Sequence, residues 1–428
     1  MTKIQTIGII GLGYVGSAIA ASLASSGKQI IVYDKDKEKY TKLKSDNIKH
    51  NEKELKDAIK KAIKNKTIKF ANTTKKLSEC NVVFIAVGTP YKKSDREIDI
   101  SHVIEAAEEI SNHIKTGSSI IIKSTIAPDS AKKIKSIPKI KQKKIEIISN
   151  PEFLREGSSF RDFNNPYRII IGTDNKEKIK PIIEEIYHNQ IKEKHTKTIY
   201  TTHENAAIIK LASNAFLAMS ISFINEIARI SDSYKGNIDI ISEALKLDKR
   251  IGKNAYLKAG IGFGGSCLKK DTSTLAFKSS RKNLLKSAIE TNDSQIDYIA
   301  SKIEKEAKQK IKKIAFLGLS FKQGTDDIRN SQQIKLLKIL IKKGYEIKAY
   351  DPAAQDNAKK EITEKITFST TKEEAIEKSD LIIITTAWEE FSNLDFKKLK
   401  GKTIIDAANL FERKTIEKYN IKYIGIGK

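Results

Sequence analysis

Short apolar runs alternate with longer segments of helical spacing through the first 150 residues of the chain. The runs have the length of strands, each ends in polar or turn residues, and a helical pattern over 17–26 follows the first run. The predicted strands are 6–10, 29–33, 81–87, 118–122 and 144–148. Strands that alternate with helices favour a parallel sheet covered by helices on both faces.

A second alternating pattern begins near residue 312. Between the two patterns, alanine, leucine and isoleucine recur at helical spacing from about 203 to 234, and Gly236 stops the helix. We therefore predict an α/β protein with two doubly wound parallel sheets joined by a long central helix. The elements predicted for the second pattern are the helix 332–343 and the strands 314–319, 346–350, 381–385, 403–405 and 422–425.

The length of 428 residues is sufficient for two or three domains. No run is apolar for the length of a bilayer span and no signal peptide is visible, so we expect no membrane partner. Two cysteines, Cys80 and Cys267, cannot form a disulfide framework, which favours a cytoplasmic protein. Cys80 lies at the entry to a predicted strand and is expected to be a small core residue.

The formal charge of +26 would by itself suggest a nucleic-acid partner. The lysines, however, are interleaved with 53 acidic residues along the whole chain rather than gathered in one arm or stripe. We therefore expect a solvated basic surface that attracts an anionic nucleotide substrate and has no specific nucleic-acid partner. A non-catalytic protein that binds polyanions is the alternative.

The first predicted strand leads into Gly11-Leu12-Gly13-Tyr14-Val15-Gly16, and the second ends at Asp34. Such glycines allow a pyrophosphate to approach a helix N-terminus, and an acid after the second strand suits a ribose 2′-hydroxyl. This order of elements predicts binding of NAD, because a carboxylate at Asp34 repels the 2′-phosphate of NADP. Lys39 either softens that preference or contacts the adenosine side.

Ligands of an open parallel sheet bind beyond the carboxyl ends of its strands. Gly88 and Thr89 follow the third predicted strand, Thr125 the fourth and Glu152 the fifth, so we expect these residues near the cofactor. The Thr-Pro and Asn-Pro pairs are also typical of ordinary turns, and both interpretations can hold at once.

The segment 262–271 places a thiol, a cation and a carboxylate close together behind flexible glycines. An ammonium such as that of Lys270 favours the thiolate, so Cys267 is predicted to be a reactive nucleophile, the alternative being a buried free cysteine at a helix start. Lys210 and Asn214 are four residues apart and share one face of the long helix. Together they could stabilise an oxyanion, although a solvated lysine beside a surface asparagine would have the same spacing.

With these residues in place, the chain resembles the UDP-glucose/GDP-mannose dehydrogenase family over essentially its full length. The resemblance implies two Rossmann-like domains, a small helical dimerisation domain, NAD as the cofactor, and a homodimer or higher homo-oligomer. No metal site is predicted. The implied domains are an NAD-binding domain (1–198), a central helical domain with the cysteine loop (199–300) and a UDP-sugar-binding domain (301–428). The matching segments are 11–16, 123–125, 150–157, 210–216, 262–271, 321–322 and 325–331.

The resemblance also implies roles for individual residues. Cys267 would be the nucleophile, and Lys210 and Asn214 would stabilise the oxyanion. Asp271 would hydrogen-bond the reacting water or hydroxyl, and Glu152 would assist the hydrolytic step. Thr125 and Glu156 would lie where cofactor and substrate meet. The implied cofactor contacts include Gly11, Gly13, Tyr14, Val15, Gly16, Asp34, Lys39, Gly88, Thr89, Lys270 and Arg329. The implied substrate contacts include Phe153, Leu154, Arg155, Lys258, Phe263, Gly264, Phe321, Lys322, and Arg250 from the neighbouring subunit.

The implied reaction is the NAD-dependent four-electron oxidation of a nucleotide sugar from primary alcohol to carboxylate, through a thiohemiacetal and a thioester on Cys267. The segment 250–252 and the form of the cysteine loop resemble the UDP-glucose branch, so UDP-glucose is the expected substrate. Where relatives carry an arginine this chain has Ala408, which leaves one substrate-phosphate contact open. UDP-N-acetylhexosamine or GDP-mannose remains an alternative substrate, and a single-hydride dehydrogenase of the 3-hydroxy acid or 6-phosphogluconate type is an alternative enzyme.

Overall fold

The computed structural model describes residues 4–44, 52–92, 94, 97–279, 283–307 and 311–428. The chain divides into two compact units, Met1–Ala212 and Ser213–Lys428, and the division falls inside one long helix. Each unit is built on its own sheet of mainly parallel strands. The predicted fold class, with two Rossmann-like halves and a long helix, is confirmed. The division into three domains at 198/199 and 300/301 stays a prediction.

The first unit alternates strands and helices as the apolar runs predict. Its strands are β1 Thr6–Ile10, β2 Gln29–Tyr33, β3 Ile68–Phe70, β4 Val82–Ile85, β5 Tyr91–Lys92, β6 Glu97–Ile98, β7 Ser119–Ile122, β8 Glu146–Ser149, β9 Ile169–Gly172 and β10 Thr198–Thr201. Its helices are α1 Tyr14–Ser25, α2 Lys37–Lys44, α3 Lys53–Lys64, α4 Ser101–His113, α5 Ser130–Lys135, α6 Pro138–Gln142, α7 Ser159–Asn164 and α8 Lys176–Ile186, and the helix that crosses the division is α9 His203–Ser233.

The main sheet of this unit has the strand order β10-β9-β8-β7-β4-β1-β2-β3. Strand β1 lies between β2 and β4 and pairs with both in parallel, with Ile9 opposite Val32 on one side and Phe84 on the other. These strands are buried on both faces, which explains their continuous apolar runs. The chain therefore changes direction across the sheet at β1, so the loop after β1 lies at the position where ligands of such sheets bind. The parallel arrangement ends at β8, because β9 meets β8 antiparallel through the single pair Ser149 and Gly172, and β10 pairs in parallel with β9.

Helix α1 begins earlier than the pattern predicts. The expected start was Ser17, but the helix begins at Tyr14, directly after Gly13, so half of the glycine fingerprint belongs to its first turn. Small buried residues such as Ala18 and Ala21 then allow the helix to pack closely on the sheet.

The second unit has a six-stranded, fully parallel sheet with the order β13-β12-β11-β14-β15-β16. Phe316, Leu337 and Ile383 are among the fully buried residues of its core. Its strands are β11 Lys313–Leu317, β12 Glu346–Tyr350, β13 Thr367–Phe368, β14 Leu381–Ile384, β15 Thr403–Asp406 and β16 Lys422–Gly425. Its helices are α10 Ile238–Leu247, α11 Leu268–Lys278, α12 Leu284–Ala307, α13 Gln332–Lys342, α14 Gln355–Glu361, α15 Lys372–Ile376 and α16 Arg413–Glu417.

Helix α9 is long and apolar enough to cross a membrane by length and composition, the one such helix among the described residues. This differs from the expectation that no segment would reach the length of a bilayer span. The core helix of a soluble protein passes the same test, and α9 carries the buried polar residues Lys210, Asn214 and Asn225. Each of them pairs with another polar group of its own unit, which indicates a helix built for a protein interior.

Candidate active site

The turn after β1 has the shape that a pyrophosphate site requires. Gly11 has φ +97°, and a Cβ at this position would lie 2.5 Å from the carbonyl oxygen of Ala86, so a larger residue is strained and crowded. Gly13 caps α1 without any neighbouring atom within 4 Å of an added Cβ, and the first turn of α1 carries no acidic residue. The backbone N–H groups of Tyr14, Val15 and Gly16 are thus at an open helix N-terminus, which favours an anion.

Asp34 lies at the end of β2, as predicted, and is buried. Its carboxylate accepts a hydrogen bond of 2.7 Å from the backbone N–H of Leu12, which ties the glycine turn to the second strand. Lys39 Nζ lies 2.9 Å from the same carboxylate. The structure therefore places Lys39 on Asp34 itself, so its charge offsets part of the repulsion that Asp34 exerts on a 2′-phosphate.

Gly88, Thr125 and Glu152 follow the carboxyl ends of the neighbouring strands β4, β7 and β8, and Thr89 follows Gly88. The loops after β4 and β7 are joined, because Ser124 Oγ donates a hydrogen bond of 2.8 Å to the carbonyl oxygen of Val87. These residues therefore share one edge of the sheet, and their contacts with a cofactor stay a prediction.

Glu152 and Lys210 form a buried ion pair, with 2.9 Å between Lys210 Nζ and Glu152 Oε1. The other carboxylate oxygen of Glu152 accepts a hydrogen bond of 2.6 Å from the backbone N–H of Leu154. The ring of Phe153 lies 5.4 Å from Lys210 Nζ and 4.1 Å from the Arg168 guanidinium. The α9 lysine is therefore not a solvated surface lysine, and its charge is balanced inside the first unit.

The rest of the predicted substrate segment is more open. Arg155 is exposed and forms a salt bridge of 2.6 Å with Asp162, and Glu156 is half-buried. These two residues follow Glu152 closely in the chain and are less buried than it.

In the second unit, Asn214 and Lys270 converge on one buried carboxylate. Asp271 is fully buried and accepts hydrogen bonds from Asn214 Nδ2 at 2.6 Å and from Lys270 Nζ at 2.7 Å. Because Lys270 holds Asp271, the prediction that its ammonium activates the thiol of Cys267 remains untested. Lys210 and Asn214 thus lie one turn apart on α9, and each has a carboxylate partner in its own unit.

Cys267 directly precedes α11 and is half-buried. Its backbone carbonyl accepts the first hydrogen bond of the helix, from the N–H of Asp271 at 2.9 Å, so thiol and carboxylate are one turn apart. Ser266 Oγ lies 3.6 Å from Cys267 Sγ. The N-terminus of an 11-residue helix favours a negative charge at this sulfur.

The glycine loop before Cys267 is held by amide side chains from two helices. Asn292 of α12 accepts a hydrogen bond of 2.7 Å from the N–H of Phe263 and donates one of 3.1 Å to the carbonyl oxygen of the same residue. Gly260 is held in the same way by Asn225 and Gln295. Gly262 has φ +102°, and an added Cβ would lie 2.5 Å from Asn292 Oδ1. The loop therefore passes too close to α12 for any side chain.

The remaining predicted contacts lie in two loops of the second unit. Gly264 and Gly265 pack directly on Phe321, and Lys322 Nζ lies 5.7 Å from the Phe321 ring. Arg329 is exposed and forms a bidentate pair with Asp327. Phe263 is buried and faces the protein interior, so any substrate contact from it would come through its backbone.

Arg250 and Lys258 are exposed, and the Arg250 guanidinium pairs with Asp248 at 2.6 Å. A role for Arg250 in a neighbouring subunit stays a prediction. Ala408 replaces the expected arginine in a loop whose shape is kept by its neighbours. The buried carboxylate of Asp406 accepts hydrogen bonds from the N–H groups of Leu410 and Phe411.

Sequence reasoning missed the supporting residues Arg168, Asn292 and Gln295. The two amides stand in an ordinary amphipathic helix, and no local motif marks them. Only the three-dimensional fold reveals that they carry the cysteine loop.

Comparisons with known proteins agree along the whole chain. The NAD binding domain of the UDP-glucose/GDP-mannose dehydrogenase family matches residues 5–191, the central domain matches 204–294 and the UDP binding domain matches 315–413. A protein from Rickettsia felis named UDP-glucose 6-dehydrogenase is 37% identical over 439 aligned residues, which cover 99% of this chain and 96% of that protein.

Two solved structures have the same fold. A UDP-glucose dehydrogenase from Pyrobaculum islandicum has a TM-score of 0.88 at 28% identity, covering 100% of this chain and 98% of that one. A UDP-D-ManNAc dehydrogenase from Pyrococcus horikoshii has a TM-score of 0.85 at 26% identity, covering 99% of both chains.

Replacing Asn292 with leucine should loosen the cysteine loop. The substitution keeps the branched shape and the number of side-chain heavy atoms but leaves the N–H and C=O of Phe263 without their partner, which costs about 2–5 kcal/mol of unfolding free energy. Alkylation of Cys267 by iodoacetamide should become faster at the same time, because the loop opens more often. Asn112→Leu, at an exposed position of α4, is the control. Unchanged melting and labelling in Asn292→Leu would show that this amide does not hold the loop.

Proposed function

Because this chain belongs to the UDP-glucose/GDP-mannose dehydrogenase family and is an NAD-dependent nucleotide-sugar dehydrogenase, we propose that it oxidises UDP-glucose to UDP-glucuronate through covalent intermediates on Cys267. In this reaction a primary alcohol, two NAD⁺ and one water give a carboxylate, two NADH and three protons.

One arrangement carries the proposal: Cys267 at the start of α11, one turn before a buried Asp271 that Asn214 holds. A dehydrogenase that removes one hydride has no need of a nucleophilic thiol. A four-electron oxidation gains from one, because covalent capture on sulfur retains the aldehyde formed by the first step for the second.

The first unit supplies the cofactor site. The open turn at Gly11 and Gly13 suits a pyrophosphate, and Asp34 suits an adenosine ribose. NAD⁺ bound there would accept the first hydride, and a second NAD⁺ that replaces the resulting NADH would accept the second. The residues 88–89, Thr125 and Glu156 then belong to the region where cofactor and sugar meet.

Side chains of this protein carry out the covalent and proton-transfer steps on the sugar. The Cys267 thiolate adds to the aldehyde to give a thiohemiacetal, which loses the second hydride and becomes a thioester. Lys210 and Asn214 donate to the oxyanion that forms each time the carbonyl carbon becomes tetrahedral. Glu152 accepts a proton from the attacking water, and Asp271 orients that water, so that the thioester is cleaved to the acid and the thiol is released.

UDP-glucose is favoured over other sugars by the segments around Arg250 and Cys267 and by the name of the Rickettsia felis relative. The Pyrococcus horikoshii structure carries the name of a UDP-D-ManNAc dehydrogenase, which keeps a UDP-N-acetylhexosamine as the second candidate. The replacement of an arginine by Ala408 removes one contact by which a phosphate could be held. Lys258 and Lys322 are the proposed substitutes for that contact.

A homodimer is the proposed assembly, in a cytoplasmic setting. Phe216, Phe223 and Ile230 recur every seven residues along α9 and are 67%, 48% and 51% exposed. A seven-residue apolar repeat is the pattern by which two helices pack along each other. Ile240 and Leu247 on α10, also seven residues apart, are exposed as well. We propose that a second copy of the chain covers this surface and receives Arg250 in its site.

A panel of UDP-glucose, UDP-galactose, UDP-N-acetylglucosamine, UDP-N-acetylmannosamine and GDP-mannose tests the substrate, with NADH absorbance as the measurement. We expect the highest kcat/KM for UDP-glucose and two NADH for each substrate consumed. One NADH per substrate would contradict the four-electron path. A higher kcat/KM for UDP-N-acetylmannosamine would move the assignment to the second candidate.

Replacing Cys267 with alanine tests the covalent path. Formation of the acid should fall by several orders of magnitude, because no thioester can form, while NAD binding is unchanged. Cys267→Ser should accumulate an ester adduct visible by intact-protein mass spectrometry, because its oxygen ester is cleaved more slowly. Cys80→Ala is the matched control. Near-native production of two NADH by Cys267→Ala would show that the sulfur is not the nucleophile.

Replacing Phe223 with glutamate tests the assembly. A charge in the middle of the α9 stripe should convert a dimer of twice 48.0 kDa into a monomer, measured by sedimentation equilibrium. Turnover should fall with it if Arg250 acts in the partner's site. Tyr167→Glu, at an aromatic residue that is 90% exposed and off the stripe, is the control. A Phe223→Glu variant that remains a dimer would place the interface elsewhere.

A further inference from the structure

Lysines of this protein lie almost entirely at its surface. In the part of the chain that the structure describes, only two are buried as whole residues, Lys123 and Lys210, each with 4% exposure. Burial of a lysine is costly unless its charge is paired, so a bias toward lysine in the sequence does not explain them. Lys210 has Glu152 as its partner. The role of Lys123 remains to be explained.

Lys123 directly follows β7 and is tied to the loop that carries Glu152. Its Nζ lies 3.3 Å from Asn150 Oδ1, which also accepts a hydrogen bond of 2.5 Å from the hydroxyl of Tyr187. The side-chain amide nitrogen of Asn150 donates a hydrogen bond of 2.9 Å to the carbonyl oxygen of Ile170. Asn150 is thereby fixed through both ends of its amide, and it is separated from Glu152 by Pro151 alone.

The charges around Lys123 do not cancel. The titratable groups that face its ammonium are Glu152 after β8, Lys210 on α9 and the buried hydroxyl of Tyr187 after α8, while Phe163 of α7 presents its ring at 5.8 Å. Lys210 and Glu152 together carry no net charge. With Lys123 protonated, the group of three carries one positive charge, and with Lys123 neutral it carries none.

We propose that Lys123 is a positioning residue for the Glu152–Lys210 pair, which fixes the Asn150–Glu152 loop and supplies the net positive charge that allows Lys210 to stabilise an oxyanion. This inference rests on the proposed function. An ion pair that is neutral as a whole stabilises a developing negative charge poorly, since the carboxylate opposes what the ammonium favours. A second buried cation that interacts with the carboxylate reverses that balance.

The proton on Lys123 is held weakly. Burial, with a smaller opposing effect of Glu152 and a supporting effect of Lys210, lowers the pKa of Lys123 to about 8. The ordinary value of 10.5 applies to the unfolded chain, so the folded state binds fewer protons than the unfolded state between about pH 8 and 10.5. The charged lysine therefore costs stability below pH 8, and this cost disappears as the pH rises through that window.

Lys123→Met and Lys123→Arg test the inference in the full-length enzyme, with whichever nucleotide sugar the wild type oxidises best. Lys123→Met keeps the length of the side chain and removes the charge, and Lys123→Arg keeps the charge. Tyr187→Phe is the matched control, because it removes the other hydrogen bond to Asn150 Oδ1 and leaves every cation in place. The measurements are kcat and KM from pH 6 to 10, NADH binding by fluorescence, and thermal melting at each pH.

We expect Lys123→Met to lower kcat by about 10- to 100-fold at pH 7, with KM and NADH binding nearly unchanged. The wild-type kcat should decline above about pH 8, Lys123→Met should lack this decline, and Lys123→Arg should shift it to higher pH and keep more activity. Tyr187→Phe should retain the wild-type pH profile. The melting temperature of Lys123→Met at pH 7 should equal or exceed that of the wild type, because a buried charge has been removed.

Parallel loss of kcat and melting temperature in Lys123→Met, with no change of the pH profile, would overturn the inference and leave Lys123 a structural residue. Wild-type kcat and pH dependence in Lys123→Met would overturn it as well. A wild-type enzyme that oxidises no nucleotide sugar would instead refute the proposed function, and this inference with it.

Discussion

Charge buried in a protein interior must be compensated, and the polar part of this structure depends on that constraint. Lys210 and Glu152 are both buried and lie 2.9 Å apart. Loss of either partner would leave an isolated charge at a cost of about 3–5 kcal/mol. Helix α9 and the loop after β8 are therefore bound to one arrangement, in which the ammonium is held still. The same rule applies to Asp271, which accepts hydrogen bonds from both Asn214 and Lys270.

Both sheets have an aspartate at the same position, directly after the second parallel strand, but the surroundings of the two aspartates differ. In each unit the second parallel strand ends at an aspartate that binds the backbone after the first strand: Asp34 holds the N–H of Leu12, and Asp351 holds that of Leu319. Asp351 also accepts from the Ser320 hydroxyl and the Trp388 indole, so its oxygens are occupied by the protein itself. The oxygens of Asp34 are also bound by protein groups, from Leu12, Asp36 and Lys39, but Asp34 lies beside an open glycine turn. This difference fits a dinucleotide in the first unit and a different nucleotide in the second.

Local apolar runs predict where most strands lie, but they fix the strand ends less evenly. The bounds of β1, β2, β12 and β16 agree with the predicted ranges to the residue, although burial is not uniform along β12 and β16. Strands β3 and β10 were missed, since they are short or half-exposed and lack an apolar run, and β9 was missed although its isoleucines form a short buried run. Helix α1 begins three residues earlier than predicted, because glycines suppress a helical pattern while still allowing a first turn.

Residues of the candidate site were found where a local motif marks them and missed where only a long-range contact does. Asn292 acts on a loop 29 residues away, and Asn150 meets a lysine 27 residues away on another strand. No spacing rule connects such partners. The pairing of Lys39 with Asp34, by contrast, spans five residues and was within reach of local reasoning.

The two cysteines show why burial, and not residue type, decides between chemistry and packing. Cys80 is fully buried, and desolvation raises its thiol pKa to about 12, so it remains a neutral core group. Cys267 is half-buried at a helix N-terminus, where a negative charge on sulfur is favoured. The glycines before Cys267 leave no side chain to cover it, whereas Cys80 packs beside the core strand β1 near Gly8. A thiol can attack a carbonyl only where its anion is tolerated and reachable, and among the two this condition is met by Cys267.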